Sequence, residues 1–146
     1  DQGHTVTTLD IVDKSWVPAL TPQIFDGKQL PFADNSFDVA LLLTVLHHIP
    51  CPDDTLIEAR RVAQRIIIVE DVFESLAEKW ATWIGDSWLN MEIFGHPHSN
   101  RNDQGWRETF ARYGLRVLHT HQQFLWFFPF RFRLATYVLS RDDSSG

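Results

Sequence analysis

The chain has 146 residues, 44% of them hydrophobic and 22% charged, which is a globular rather than a disordered composition and enough for one core of ordinary size. A formal net charge of −6 argues against a general nucleic-acid binder, which needs a basic footprint to neutralise phosphates. The single cysteine, Cys51, excludes an internal disulfide framework and suits a reducing, cytoplasmic setting. No signal-peptide pattern opens the chain, and no apolar run reaches the roughly 20 residues of a membrane helix. The aromatic stretch "FLWFFPFRF" (124–132) is short and broken by Pro129 and Arg131.

In chain order, "HTVTTLDIV" (4–12) predicts a strand ending near Asp10. "WVPALTPQIFDG" holds two prolines and ends in Asp26-Gly27, which predicts a loop, a short strand near 23–25 and a turn. "FDVALLL" (37–43) is apolar on both faces, as in a buried parallel strand. "DDTLIEARRVAQ" (53–64) spaces Leu56, Ile57, Ala59, Val62 and Ala63 as a helix does, with Asp53 or Asp54 placed to cap it. "RIIIVEDV" (65–72) is a second buried strand ending in carboxylates, and this strand–helix–strand order predicts a parallel crossover unit.

Residues 74–91 carry Trp80, Trp83 and Trp88 among helix formers, and "GHPHSNRN" (95–102) reads as a loop. "DQGWRETFARYG" (103–114) puts Trp106, Phe110 and Tyr113 on one helical stripe with Gly114 as its stop. "LRVLHTH" (115–121) and "RFRLATYVLS" (131–140) are closing strands, paired antiparallel across a short aromatic turn. These elements make a single domain over 1–141, with a frayed tail at 142–146. The architecture is α/β, with parallel strands first and an antiparallel hairpin last.

This order of parts resembles a class I S-adenosylmethionine-dependent methyltransferase, a Rossmann-like fold. "TLDIVD" looks like that family's second strand, so the resemblance implies that Asp10, with Ile11 beside it, meets the ribose hydroxyls. "FDGKQLPFADNSFDV" is similar to the lead-in of its fourth strand. There Asp26 would accept from the adenine amine, and Gly27 or Lys28 would offer a backbone amide to the ring. "LLLTVLHHIP" matches the end of that fourth strand, with Leu43, Thr44 and one of the histidines, His48, facing the methionine part of the cofactor. "GLRVLHTH" and "RLATYVLS" resemble the reversed hairpin that ends the family's sheet. The family's first strand and its glycine-rich loop have no counterpart here. Those parts take roughly 40 residues, and in the family the strand lies between the second and the fourth. The resemblance therefore implies an incomplete sheet with two unpaired edges, open to a homodimer contact or a partner chain.

Methyl transfer asks mainly for alignment of the acceptor, plus a base where the acceptor carries a proton. Candidate bases are His47, His48, Glu70 and Asp71. Adjacent histidines point apart, so a shared metal is not expected. Asp34, Asn35 and Asp38 read as a surface turn and strand lead-in. The segment of about 74–102 corresponds to the family's substrate lid. Trp80, Trp83, Trp88, His96 and His98 could line an apolar acceptor pocket there, although a core-facing tryptophan stripe is the plainer reading. The leading expectation is methyl transfer from S-adenosylmethionine to a small, apolar acceptor, with no nucleic acid and no stable membrane insertion. The alternatives are a non-catalytic methyltransferase-like subunit completed by a partner chain, or another Rossmann-like nucleotide binder.

Overall fold

The computed structural model describes residues 3–74, 78, 80, 101–127 and 130–142. Its elements are β1 (Leu9–Asp10), β2 (Gln23–Ile24), β3 (Phe37–Leu43), α1 (Pro52–Val62), β4 (Ala63–Val72), α2 (Asp103–Arg112), β5 (Leu115–Phe127) and β6 (Phe130–Arg141). They form two sheets: a parallel pair, β1–β2, and a four-stranded sheet in the order β3-β4-β6-β5. β3 and β4 are parallel, with Leu41 opposite Ile67 and Leu43 opposite Val69, as the crossover pattern requires. β6 runs antiparallel to both β4 and β5.

The helices cover one face of the larger sheet. Leu56 and Ala59 of α1, and Trp106 and Phe110 of α2, pack with Ile66, Ile68, Ala135, Tyr137 and Leu139 of the central strands into one buried cluster. The Trp106 and Phe110 rings stack at 5.8 Å, and Phe110 meets Tyr137 edge-on at 5.1 Å, geometries that aromatic quadrupoles favour. The opposite face of β3 is bare: Val39, Leu41 and Leu43 are 40%, 58% and 55% exposed. β3 is also an edge strand, so its second row of backbone groups meets no other strand among the described residues.

Several boundaries differ from the sequence reading. The first strand shrinks from 4–12 to two residues, because its partner β2 offers only Gln23 and Ile24 to pair with. Neither Asp53 nor Asp54 caps α1. Cys51 is the N-cap, without a side-chain hydrogen bond, and Pro52 opens the helix where a missing N–H costs nothing. Asp53 turns instead to Arg101, at 2.7 Å, and to the Tyr113 hydroxyl, at 3.0 Å, tying α1 to α2. The cap of α2 is Asn102, whose side chain accepts from Gly105 N–H at 2.8 Å, and Gly114 ends the turn after it at φ +63°. The closing hairpin is longer than expected. Its ladder runs on through Phe124 opposite Arg133 and Trp126 opposite Arg131, so residues 124–127 and 130–132 of the aromatic stretch are strand, with a bulge between Val117 and His119.

One side chain docks the loop between the two sheets. The Arg61 guanidinium donates to Glu58, at 2.8 and 2.7 Å, to Asp34, at 2.9 Å, and to the carbonyls of Leu30 and Phe32, at 2.9 and 2.7 Å. Glu58 returns the contact by accepting from the Leu30 N–H at 2.9 Å. The Arg61 hydrogen bond, with the Leu30 amide and against some burial, holds the Glu58 carboxyl below its ordinary range. On the far side of the core, burial pushes the Asp103 carboxyl up. Hydrogen bonds from Arg107 and from the Tyr137 hydroxyl outweigh that push and leave it lowered.

This packing has three measurable consequences. Ile68→Ala removes a fully buried side chain from the central strand and lowers unfolding stability by about 2–5 kcal/mol in a urea titration. Arg61→Ala strands two carbonyls and two carboxylates and lowers the urea midpoint, whereas Arg61→Lys recovers only part of it, because an ammonium lacks the planar fork. Acid lowers stability through Glu58 and Asp103: both bind protons less readily folded than unfolded, so their contribution is complete above the unfolded carboxyl value near 4 and fades as pH falls through the folded values. Unfolding midpoints measured between pH 7 and 3 should fall on the acid side, less steeply in Asp103→Asn.

Candidate functional site

Parallel α/β sheets bind ligands at the carboxyl ends of their strands, where loops and unpaired backbone groups collect. The residues singled out from the sequence fall into two groups there, one on each sheet.

The first group stands at the carboxyl end of the small sheet. Asp10 ends β1 and is solvent-facing; its Oδ1 accepts from the backbone N–H of Ile11 at 2.7 Å and of Val12 at 3.3 Å, turning the chain sharply. Asp26 does the same after β2, with Oδ1 accepting from Lys28 N–H at 3.0 Å. Between them, Gly27 has a φ of +76°, and a Cβ built on it would come within 3.1 Å of the Ile11 side chain. Two exposed carboxylate turns are thus held side by side, and a glycine is required where they touch. The Phe25 N–H donates to the Asp10 carbonyl at 3.2 Å, extending the β1–β2 pairing into this edge.

The second group lies where β3 ends against β4. Thr44 follows Leu43 with φ +50°, a left-handed backbone that is costly for a β-branched residue. Its N–H donates to the Val69 carbonyl at 2.7 Å, after which the chain enters the short 3-10 turn Leu46–His48. That turn is gripped by Glu70. One carboxylate oxygen accepts from the N–H groups of Val45 and Leu46 at 3.0 and 2.7 Å, and the other lies 2.6 Å from His47 Nδ1. That second oxygen and Nδ1 share one proton. Both partners are sealed in, His47 at 3% and Glu70 at 0% exposure.

The paired histidines therefore have different environments. His47 is fixed in the core by Glu70, while His48 is half-buried and its ring lies against that of His47 with centroids 3.9 Å apart. The Glu70 carboxylate is turned inward to the three donors of the corner, and Asp71 is half-buried on β4 opposite Leu134. Lys28 is exposed in the first group. Of the expected lid, Trp80 is 61% exposed, which removes it from a core-facing stripe; Trp83, Trp88, His96 and His98 lie outside the described residues. No three His, Cys, Asp or Glu side chains gather as metal ligands among the described residues.

Sequence reasoning missed two parts of this region. Arg61 carries the segment between the two groups, yet in the sequence it is an ordinary helix-face charge. The signals for it are modest: a cation on α1, with one acid, Asp34, in the loop before β3. The second is the aromatic–cation array of the hairpin. Arg131 lies 3.6 Å from the centre of the exposed Phe124 ring, and Arg133 lies 4.7 Å from the same ring. Arg133 also pairs with Glu74 and Glu78 at 2.7 and 3.1 Å. A hollow of about 330 Å³ lined by Asn35, Gln64, Arg65, Ser140 and Arg141 lies at the other end of β4, away from both groups.

Comparisons with known proteins bear on the fold. Residues 1–65, somewhat under half of the chain, match the family model for a methyltransferase domain. No curated protein matches the sequence. Among solved structures, one similar fold is a protein of Bacillus halodurans classed as a methyltransferase. It has 14% identity and a TM-score of 0.65 over 95% of this chain and 82% of that one. A SAM-dependent methyltransferase from Methanosarcina mazei gives 12% identity and a TM-score of 0.63, over 84% of this chain and 67% of that one. The methyltransferase-class chain bound to the Trm112 methyltransferase activator of Haloferax volcanii gives 16% and 0.61, over 87% and 63%. The chain thus spans slightly less than two thirds of that last relative. Its first 65 residues are similar to the methyltransferase-domain family, and its sheet, parallel strands followed by an antiparallel hairpin, shares the fold of these solved structures.

Proposed function

We propose that the protein binds S-adenosylmethionine across the carboxyl edges of its two sheets and directs methyl transfer to a small, apolar acceptor. The observation that carries this reading is the pair of carboxylate turns at Asp10 and Asp26, packed through Gly27 onto Ile11. A nucleoside presents vicinal hydroxyls and an exocyclic amine, all donors, and two exposed acceptor side chains at one sheet edge suit them. The Asp10 carboxylate would hold the ribose and Asp26 the adenine amine. The Gly27–Lys28 backbone would lie beside the ring, and the corner at Leu43 and Thr44 would border the methionine portion.

The cofactor supplies an already activated sulfonium methyl, so the protein's part is to bind, align and keep water out. Where the acceptor carries a proton, His48 is the side chain best placed to receive it: it is half-buried on the rim, whereas His47 and Glu70 are sealed in the core. Asp71, half-buried at the same strand end, is the other candidate. Exposed Trp80 and the exposed Phe124, Leu125 and Trp126 of the hairpin favour an apolar acceptor.

The bare face and open edge of β3 favour a second reading, in which a strand from a partner chain or a second copy of this chain pairs along β3 and completes the site. That a related fold occurs in complex with an activator protein supports this reading.

Calorimetric titration with S-adenosylhomocysteine tests the first reading: saturable binding is expected, and Asp10→Ala should weaken it by about tenfold or more, the worth of a hydrogen bond to a charged group. NAD, titrated in parallel, should give no heat, and a preference for NAD would replace this reading with a dinucleotide one. Sedimentation equilibrium tests the second reading, since a self-associating chain should return to monomer when Leu41→Lys places a charge on the bare strand face.

A further inference from the structure

We propose that Glu70 is a positioning residue: its carboxylate holds Thr44 in the left-handed backbone that the carboxyl edge needs in order to bind its ligand. The inference rests on the cofactor reading above for its ligand, but not for its backbone geometry.

Threonine is poorly suited to φ +50°, since a β-branched side chain crowds the backbone there and its rotamers are already few. Something must over-determine it. Its own bonds are modest: the N–H to the Val69 carbonyl at 2.7 Å, and the hydroxyl to the Leu43 carbonyl at 2.8 Å. The bonds made by the next three residues are stronger. The amides of Val45 and Leu46 converge on one Glu70 oxygen, and the His47 imidazole meets the other at 2.6 Å. Glu70 thus works as a helix cap supplied from a neighbouring strand, because the turn's own N-cap residue, Val45, has no side-chain acceptor to offer.

Leu46 is fully buried and His47 nearly so, which means that the Leu46 amide and the imidazole have no ready supply of water should the carboxylate go. The turn would then reorient to find other acceptors, and Thr44, the hinge between strand and turn, would be released toward the extended region it prefers. Thr44 itself is exposed at the strand end. Backbone strain held in place at such an edge is a common form of preorganisation for ligands. Glu70 reaches none of that surface and can act only through the corner it holds.

Glycine enters the left-handed region freely, so Thr44→Gly uncouples the corner from Glu70. The test is a cycle of Glu70→Ala and Glu70→Gln, each with and without Thr44→Gly, read by S-adenosylhomocysteine titration and by the backbone chemical shifts and amide–Hα coupling of residue 44 without ligand. Glu70→Ala should weaken binding by about tenfold or more where Thr44 is kept, and several-fold less where it is combined with Thr44→Gly. Glu70→Gln keeps one acceptor oxygen for the two amides and should show the same dependence with a smaller loss. It also decides the matter if the alanine variant does not fold.

An equal loss with and without Thr44→Gly, or no loss in either case, overturns the proposal. If the unaltered protein binds no S-adenosylhomocysteine, the cofactor reading fails and the ligand-free spectra judge Glu70 alone. A left-handed Thr44 that persists in the Glu70 variants overturns the positioning role, and its departure from that region upholds it.

Discussion

A carboxylate buried at the end of an apolar strand sets the shape of this protein's working edge. Glu70 has no exposed surface and sits one residue past the last paired position of β3 and β4, where a polar side chain must find donors or be costly. It finds three: two successive amides and an imidazole. Satisfying them ends β3, starts the 3-10 turn, sends Leu46 into the core and turns the two histidines into unlike environments. The same contacts link the loop after one parallel strand to the strand beside it.

A second polar anchor complements it from the other side. Arg61 reaches the carbonyls of Leu30 and Phe32 and the carboxylates of Asp34 and Glu58, and its own carbonyl accepts from Asn35 N–H at 3.0 Å. The segment joining the small sheet to the large one is therefore fastened to α1 by hydrogen bonds more than by apolar burial. Planar, always charged and five-fold donating, a guanidinium is suited to such a junction. Arg61, with Glu58, explains how a chain with two separate sheets keeps an ordered connection between them.

The similarity to solved structures at 12–16% identity, with TM-scores of 0.61–0.65, is a likeness of fold. Aligning an activated methyl group needs a shaped edge and a bound nucleoside, and many sequences can build both. What the likeness covers is the fold, strands and helices in this order. The exposed aromatics of the hairpin, with Arg131 and Arg133 laid against Phe124, form a surface of their own on this chain.

Local patterning was enough to set the element order, because apolar runs of strand length and helical stripes are signals that tertiary packing here reinforces. "FDVALLL" and "RIIIVEDV" became parallel neighbours, and Trp106 and Phe110 went into the core, as their spacing implied, but "FDVALLL" is exposed on one face instead of buried on both. Asp26-Gly27 was legible as a turn because glycine enters a positive φ without strain. Long-range packing settled the rest. It gave Asp53 to Arg101 instead of to a cap, extended the hairpin through its aromatics, and reduced the first strand to the length of its partner. It also separated two adjacent histidines that look alike in the sequence. Only the arrival of Glu70 from a strand more than twenty residues away tells them apart, and contacts at that separation leave no local trace in the chain.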